Sequence, residues 1–239
     1  MNIAKLLAAR QNDMYQSKLP TIAFLGDSVT QGCFELYRLG ERHSTVFDQK
    51  SAYSNRVAEI LAMLYPKCRV NIINAGISGD STKGGLERLE RDVLTYKPDL
   101  TVVCFGLNDC CGGIEKAERY AERLGMIFDA LTEAGSEVIY MTPNMMCTTP
   151  SPLTNDEYFK KLEDKFLALQ NGGVLDAFIE AGRRVASDRG VRVCDVYAKW
   201  KALADNGVNV TALLSNGMNH PTREMHYLFA YSLVEEMMK

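Results

Sequence analysis

Thr21-Ile22-Ala23-Phe24-Leu25, followed at once by Gly26-Asp27-Ser28-Val29-Thr30, is the stretch on which the fold turns. A short, continuous apolar run closed by a glycine reads as a buried strand. The polar residues after it then lie at the strand's carboxyl end, where open α/β sheets hold their ligands. Ser28 is thereby a candidate nucleophile. Taken alone, Asp27 and Ser28 read rather as caps for a turn or for the next helix, and the downstream stretches decide otherwise.

Outward from this point, strand-like and helix-like stretches alternate. Residues 33–50 show no clean period and read as an insertion or lid-like loop. Tyr53, Val57, Ile60, Leu61 and Leu64 share one helical face, ended by Pro66. A second strand reads over residues 69–74, and a helix marked by Leu86, Leu89 and Val93 runs toward Pro98. A third strand covers residues 100–105. Ile114, Ala117, Ala121, Leu124, Phe128 and Leu131 form the clearest amphipathic stripe in the chain. Residues 137–141 make a fourth strand, 142–156 a long loop with three prolines, and 191–196 a fifth strand after a helical region broken near Asn171-Gly172-Gly173. A loop over 206–221 and a helix from about Thr222 to Met238 complete the pattern.

Strands and helices alternating in this way predict an α/β fold with a parallel sheet between helical layers. Right-handed crossovers then favour a flavodoxin-like three-layer sandwich with five strands in the order 2-1-3-4-5. No linker, repeat or low-complexity tract divides residues 1–239, so one domain is expected, with 1–18 as a helical extension at the amino end.

Composition narrows the partners. With 27 basic and 30 acidic residues, a net charge of −3 offers no footprint for nucleic acid or an anionic membrane. No apolar run reaches the length of a membrane span, and Lys5 breaks the only amino-terminal run that resembles a signal sequence. Seven cysteines without a Cys-x-x-Cys spacing suggest free thiols and the cytoplasm. The neighbours Cys110 and Cys111 do not have the spacing of a metal site. They read as pocket wall or buried thiols, and Cys33 shows no activating neighbour. Met145 and Met146 suit either an apolar pocket surface or plain packing.

Three of the strands end in loops rich in Gly, Asn, Ser and Asp, on one edge of the sheet. They offer the Ser28 hydroxyl, the Gly79 backbone N–H and the Asn108 carboxamide. A nucleophile flanked by such donors suits acyl transfer, because the tetrahedral intermediate carries its negative charge on the former carbonyl oxygen. The hydroxyl needs a base. Of three histidines, His43 lies in the irregular insertion, His226 lies in the first turn of the last helix and reads as structural, and His220, in the loop before that helix, is the candidate base.

These blocks, in this order, resemble those of the SGNH (GDSL-type) esterase and lipase superfamily. Gly26-Asp27-Ser28 is similar to its nucleophile block and Asn74-x-Gly76-x-x-Gly79-x-x-Thr82 to its oxyanion-glycine block. Gly106-x-Asn108-Asp109 matches its asparagine block, and His220-Pro221 its histidine block. The resemblance implies serine ester hydrolysis without metal or organic cofactor, with Asp27 and Asp109 organising their loops.

The last block departs from the pattern. The family carries an Asp three residues before the His, where this chain has Gly217, and Asn216 precedes that Gly. Three explanations are open: a Ser28–His220 dyad with a backbone carbonyl holding the ring, another carboxylate such as Asp205 or Asp195, or a catalytically degenerate site. The first is the expectation. The function expected is hydrolysis of short-chain, acetyl-type esters of small molecules or carbohydrates. An acyltransferase using the same site and a non-catalytic ligand-binding module are the alternatives. A nucleotide or phosphate binder is disfavoured, since residues 26–32 fit neither glycine-rich fingerprint.

Overall fold

A computed structural model describes residues 2–239; Met1, the first residue of the expected extension, lies outside them. Among the described residues seven strands form: β1 (Thr21–Gly26), β2 (Cys33–Leu39), β3 (Arg42–Phe47), β4 (Asn71–Gly76), β5 (Leu100–Cys104), β6 (Glu137–Met141) and β7 (Arg192–Cys194). Five of them make a parallel sheet in the order β4-β1-β5-β6-β7. Counted along the chain, that is the order 2-1-3-4-5 read from the sequence.

β1 lies between β4 and β5, and all of its residues from Ile22 onward are buried. Burial on both faces is why it reads as an unbroken apolar run rather than an alternating one. Helices cover both sides of the sheet. Helix Ala117–Glu133 packs on helix Val174–Asp188, and helix Tyr53–Leu64 on helix His226–Met237. Buried apolar residues from these elements join into one contiguous core. The amino-terminal helix Ile3–Asn12 contributes Ile3, Leu6 and Leu7. No helix among the described residues is long and apolar enough to cross a membrane. All seven cysteines are free thiols.

Four expectations need correction. First, residues 33–50 are not an irregular loop. β2 and β3 pair as an antiparallel hairpin, followed by a single turn over Gln49–Ser51. The outer parts of both arms are exposed, so no buried face imprints a period of two on the sequence. Second, the helix marked by Leu86, Leu89 and Val93 is broken into Thr82–Glu87, Leu89–Asp92 and a turn at Leu94–Tyr96. Arg88 sits at the first break with its guanidinium drawn inward, donating to the carbonyls of Gly26 and Ala75 and to the carboxylates of Asp80 and Asp92. Third, Leu64 and Ile114 are exposed, although the periodicity placed them on buried faces. Fourth, the fifth strand stops at Cys194, because the Asp195 carboxylate caps the next helix by accepting from the Ala198 N–H.

Glycines let the carboxyl ends of β1 and β4 come together. Gly26 and Gly76 face each other in register. A Cβ on Gly76 would stand 2.3 Å from the Gln31 backbone nitrogen, and one on Gly26 would stand 2.7 Å from the Cys104 carbonyl. The segment after β1 thus crosses directly over the end of β4.

Candidate active site

At the end of β1 the buried Asp27 accepts the Val29 N–H at 3.0 Å and so caps the short helix Ser28–Gln31, which Gly32 ends in a left-handed conformation. The capping role suggested by the sequence is therefore real for Asp27. Burial pushes the Asp27 carboxyl up to about 7, against the lowering effect of that N–H, and the charges of Asp109 and Asp80 raise it further. Ser28, first in the helix and buried, turns its hydroxyl toward His220. Its Oγ lies 3.0 Å from His220 Nε2.

The loop carrying His220 is folded around Asn216. Asn216 Oδ1 accepts the backbone N–H groups of Met218, Asn219 and His220, while its Nδ2 donates to Asn219 Oδ1. Asn216 thus builds the turn and does not touch the imidazole. Asp195 is held by Arg183, Thr142 and the Ala198 N–H, and Asp205 ends helix Val196–Asp205. Neither is a hydrogen-bond partner of the ring. That partner is a backbone carbonyl: His220 Nδ1 lies 2.8 Å from the Phe34 oxygen, on the hairpin.

A carbonyl oxygen only accepts, so Nδ1 carries the proton and Nε2 presents a lone pair to Ser28. That tautomer is the one a general base needs. Burial lowers the His220 pKa to about 4, with the Phe34 hydrogen bond and the charge of Glu35 opposing the drop. The ring is neutral at physiological pH.

Gly79 sits in the tight turn after β4 with φ +79°, a conformation that glycine adopts without strain. Ser28, Gly79 and His220 line one cavity of about 380 Å³, walled by the hairpin through Leu36, His43 and Thr45 and by helix Glu157–Asn171 through Tyr158, Phe159 and Phe166. Asn108 is not among its lining residues. Its Nδ2 donates to the Asp80 carbonyl at 2.8 Å, next to Gly79, and it lines a neighbouring depression with Ser81, Asp109 and Arg123. Asp109 accepts from the Thr82 hydroxyl and N–H, joining the asparagine block to the glycine block. The structure thus brings three of the four candidate residues to one cavity and ties the fourth to its rim.

Other residues resolve in turn. His226 Nδ1 accepts the Tyr53 N–H at 3.0 Å, serving the first turn of a helix whose preceding Ala52 has no capping side chain. Met145 and Met146 are buried in the core and line no part of the cavity. Cys33 is buried, which raises its thiol to about 11 against the lowering effect of its hydrogen bonds. Among the described residues, no group of three or more His, Cys, Asp or Glu could hold a metal ion. Sequence reasoning missed Phe34, and no side-chain pattern could have revealed it, because it acts through its main chain.

Comparison with known proteins extends this picture. An acetylxylan esterase of Geobacillus stearothermophilus is 32% identical over 88 residues, which is 37% of this chain and 39% of that one. A crystal structure of an acetylxylan esterase from that organism superposes with a TM-score of 0.66 at 19% identity, over 91% of this chain and 94% of that one. Catalytic mutants solved for it replace a Ser in one case and an Asp in another by Ala. A lipase/acylhydrolase of Enterococcus faecalis gives a TM-score of 0.66 at 23% identity, over 91% of this chain and 95% of that one. At these identities the structural likenesses speak for the fold. The sequence match is broader, for residues 24–228 fit the GDSL-like lipase/acylhydrolase family. It is to this family that the chain belongs.

Proposed function

We propose that the protein is a serine esterase that hydrolyses short-chain acyl esters, acetyl esters of carbohydrates or other small molecules above all. The observation that carries this reading is the 3.0 Å contact of Ser28 Oγ with His220 Nε2, on a ring whose other nitrogen is committed to Phe34.

In this mechanism His220 Nε2 takes the Ser28 proton as Oγ attacks the ester carbonyl. The charge that develops on the carbonyl oxygen is met by the N–H groups of Gly79 and Ser28 and by the Asn108 carboxamide. Collapse of the intermediate breaks the bond to the alcohol, which leaves with the proton from His220. Water, activated by the same nitrogen, then releases the acid and restores Ser28. No metal or organic cofactor takes part.

The acetyl preference rests on the relatives and on the cavity, whose Tyr158, Phe159 and Leu162 walls are joined by Ser44, Thr45 and Asn219, a mixture suited to a sugar's faces and hydroxyls. One domain, net charge −3 and seven free thiols fit a cytoplasmic enzyme acting on small substrates rather than on nucleic acid or membrane.

The test is hydrolysis of p-nitrophenyl esters from acetate to octanoate by the wild type and by Ser28→Ala. Rates highest for acetate and lost in the variant are expected. Equal inertness of the two proteins on every ester would replace the esterase reading with a ligand-binding one. An acyltransferase would instead reveal itself by transferring the acyl group to an added alcohol faster than to water.

A further inference from the structure

The carboxylate that the family places beside its histidine is absent here, yet charge gathers one step further out. Between the pairs Cys33↔Phe47 and Leu36↔Thr45 the hairpin register slips, so that Phe34 and Glu35 together oppose Val46. Such a bulge re-aims backbone groups and is common next to active sites. The Phe34 carbonyl that holds His220 belongs to it.

Arg223, three residues after His220, grips the same two residues. Its guanidinium carbon lies 4.3 Å from the centre of the Phe34 ring. Two of its nitrogens meet the two Glu35 carboxylate oxygens at 2.5 and 3.1 Å. Its Nε donates to Asp48 at 2.9 Å, just beyond β3. Planar two-point pairing of this kind fixes geometry as well as charge. The hydrogen bonds from Arg223 hold both carboxyls below their usual range, so two carboxylates face one guanidinium and one negative charge remains.

We propose that Glu35 and Arg223 are positioning residues that do the missing acid's work from outside the dyad. Arg223 locks the bulge so that the Phe34 carbonyl stays against His220 Nδ1, and the net negative charge of the cluster favours the imidazolium as it forms. The proposal rests on the esterase reading for its role in turnover, and on the geometry and charge of the cluster for its effect on the ring. Other charged or titratable groups near His220 include His226 on the last helix, His43 and Tyr158 across the cavity and Asp27 beside Ser28.

The test follows the imidazole nitrogens of His220 by ¹⁵N NMR in the wild type, Glu35→Gln and Arg223→Lys, together with kcat and KM on p-nitrophenyl acetate. Glu35→Gln keeps an acceptor for Arg223 but removes the charge. The His220 midpoint and the acid limb of kcat/KM should move to lower pH, and kcat should fall about tenfold with KM little changed. Arg223→Lys keeps the charge but loses the two-point grip and the ring contact. It should lower kcat and weaken the Nδ1-protonated signature while leaving the midpoint near that of the wild type. Thermal melting of each variant checks the fold, and Arg223→Lys alone decides if Glu35→Gln is unstable. A wild-type His220 spectrum in both variants would overturn the proposal, whatever happens to kcat. Shifted spectra in a protein that hydrolyses no ester would leave the cluster's hold on the ring in place and remove the esterase reading instead.

Discussion

His220 and Phe34 are joined by an Nδ1–H···O=C bond of 2.8 Å that occupies the side of the ring where the family's acid is expected. A neutral carbonyl selects the tautomer as a carboxylate does but supplies less charge to the imidazolium. In serine proteases, exchanging the triad Asp for Asn costs roughly 10⁴-fold, largely through the wrong tautomer. A carbonyl avoids that part of the loss.

Restoring the acid at its family position should therefore fail. Gly217 has φ +69°, and a Cβ there would lie 2.2 Å from Ser151 Oγ. Gly217→Asp is expected to lower stability by about 1–3 kcal/mol and not to raise kcat. Asn216→Asp keeps the acceptor for three N–H groups and should leave kcat near wild type. Melting curves and p-nitrophenyl acetate kinetics check both.

The pH profile should carry the mark of a buried base. With its pKa lowered to about 4, chiefly by burial, His220 stays neutral above that point. The expected kcat/KM profile lacks the histidine acid limb near 6.5 that an ordinary imidazole gives. An acid limb centred near 6.5 would contradict the burial seen here.

Asn108 is tethered to the Asp80 carbonyl through one of its amide hydrogens, which leaves the second for the oxyanion in the proposed mechanism. Asn108→Ala is expected to lower kcat by about 10²–10³-fold with a smaller change in KM. Steady-state kinetics on the acetate ester measure it.

Asp27 gives a stability prediction of definite sign. Its folded pKa of about 7 exceeds the ordinary value of 3.8, so the folded state holds a proton that the unfolded chain has lost, and this site's contribution falls as pH rises toward and through 7. Asp27→Asn retains an acceptor for Val29 and removes the charge. The difference in melting temperature between variant and wild type should widen in favour of the variant from pH 5 to pH 8.

His226 caps a helix that lacks its own cap. His226→Phe preserves the ring packing against Phe34 and Phe229 but leaves the buried Tyr53 N–H without an acceptor. A loss of about 1–3 kcal/mol is expected in denaturant unfolding.

The sequence by itself determined the frame. Apolar runs ending in Gly-Asp-Ser, the glycine block and Asn-Asp located the three strand ends, and the chirality of crossovers ordered the sheet. Local residue types suffice for this, because a strand buried on both faces must be apolar and a backbone crossing closely must be glycine. The stripe from Ala117 to Leu131 was legible for the same reason. What holds His220 was decided only by the tertiary structure. Phe34 acts through its carbonyl, which every residue possesses, and meets a histidine 186 positions away. Arg223 reaches Glu35 across 188 positions. The hairpin that carries both residues left no periodic trace, since only Cys33 and Phe34 of its two arms are buried. Side-chain chemistry is written locally along a chain, whereas the aim of a backbone oxygen exists only after distant segments have packed.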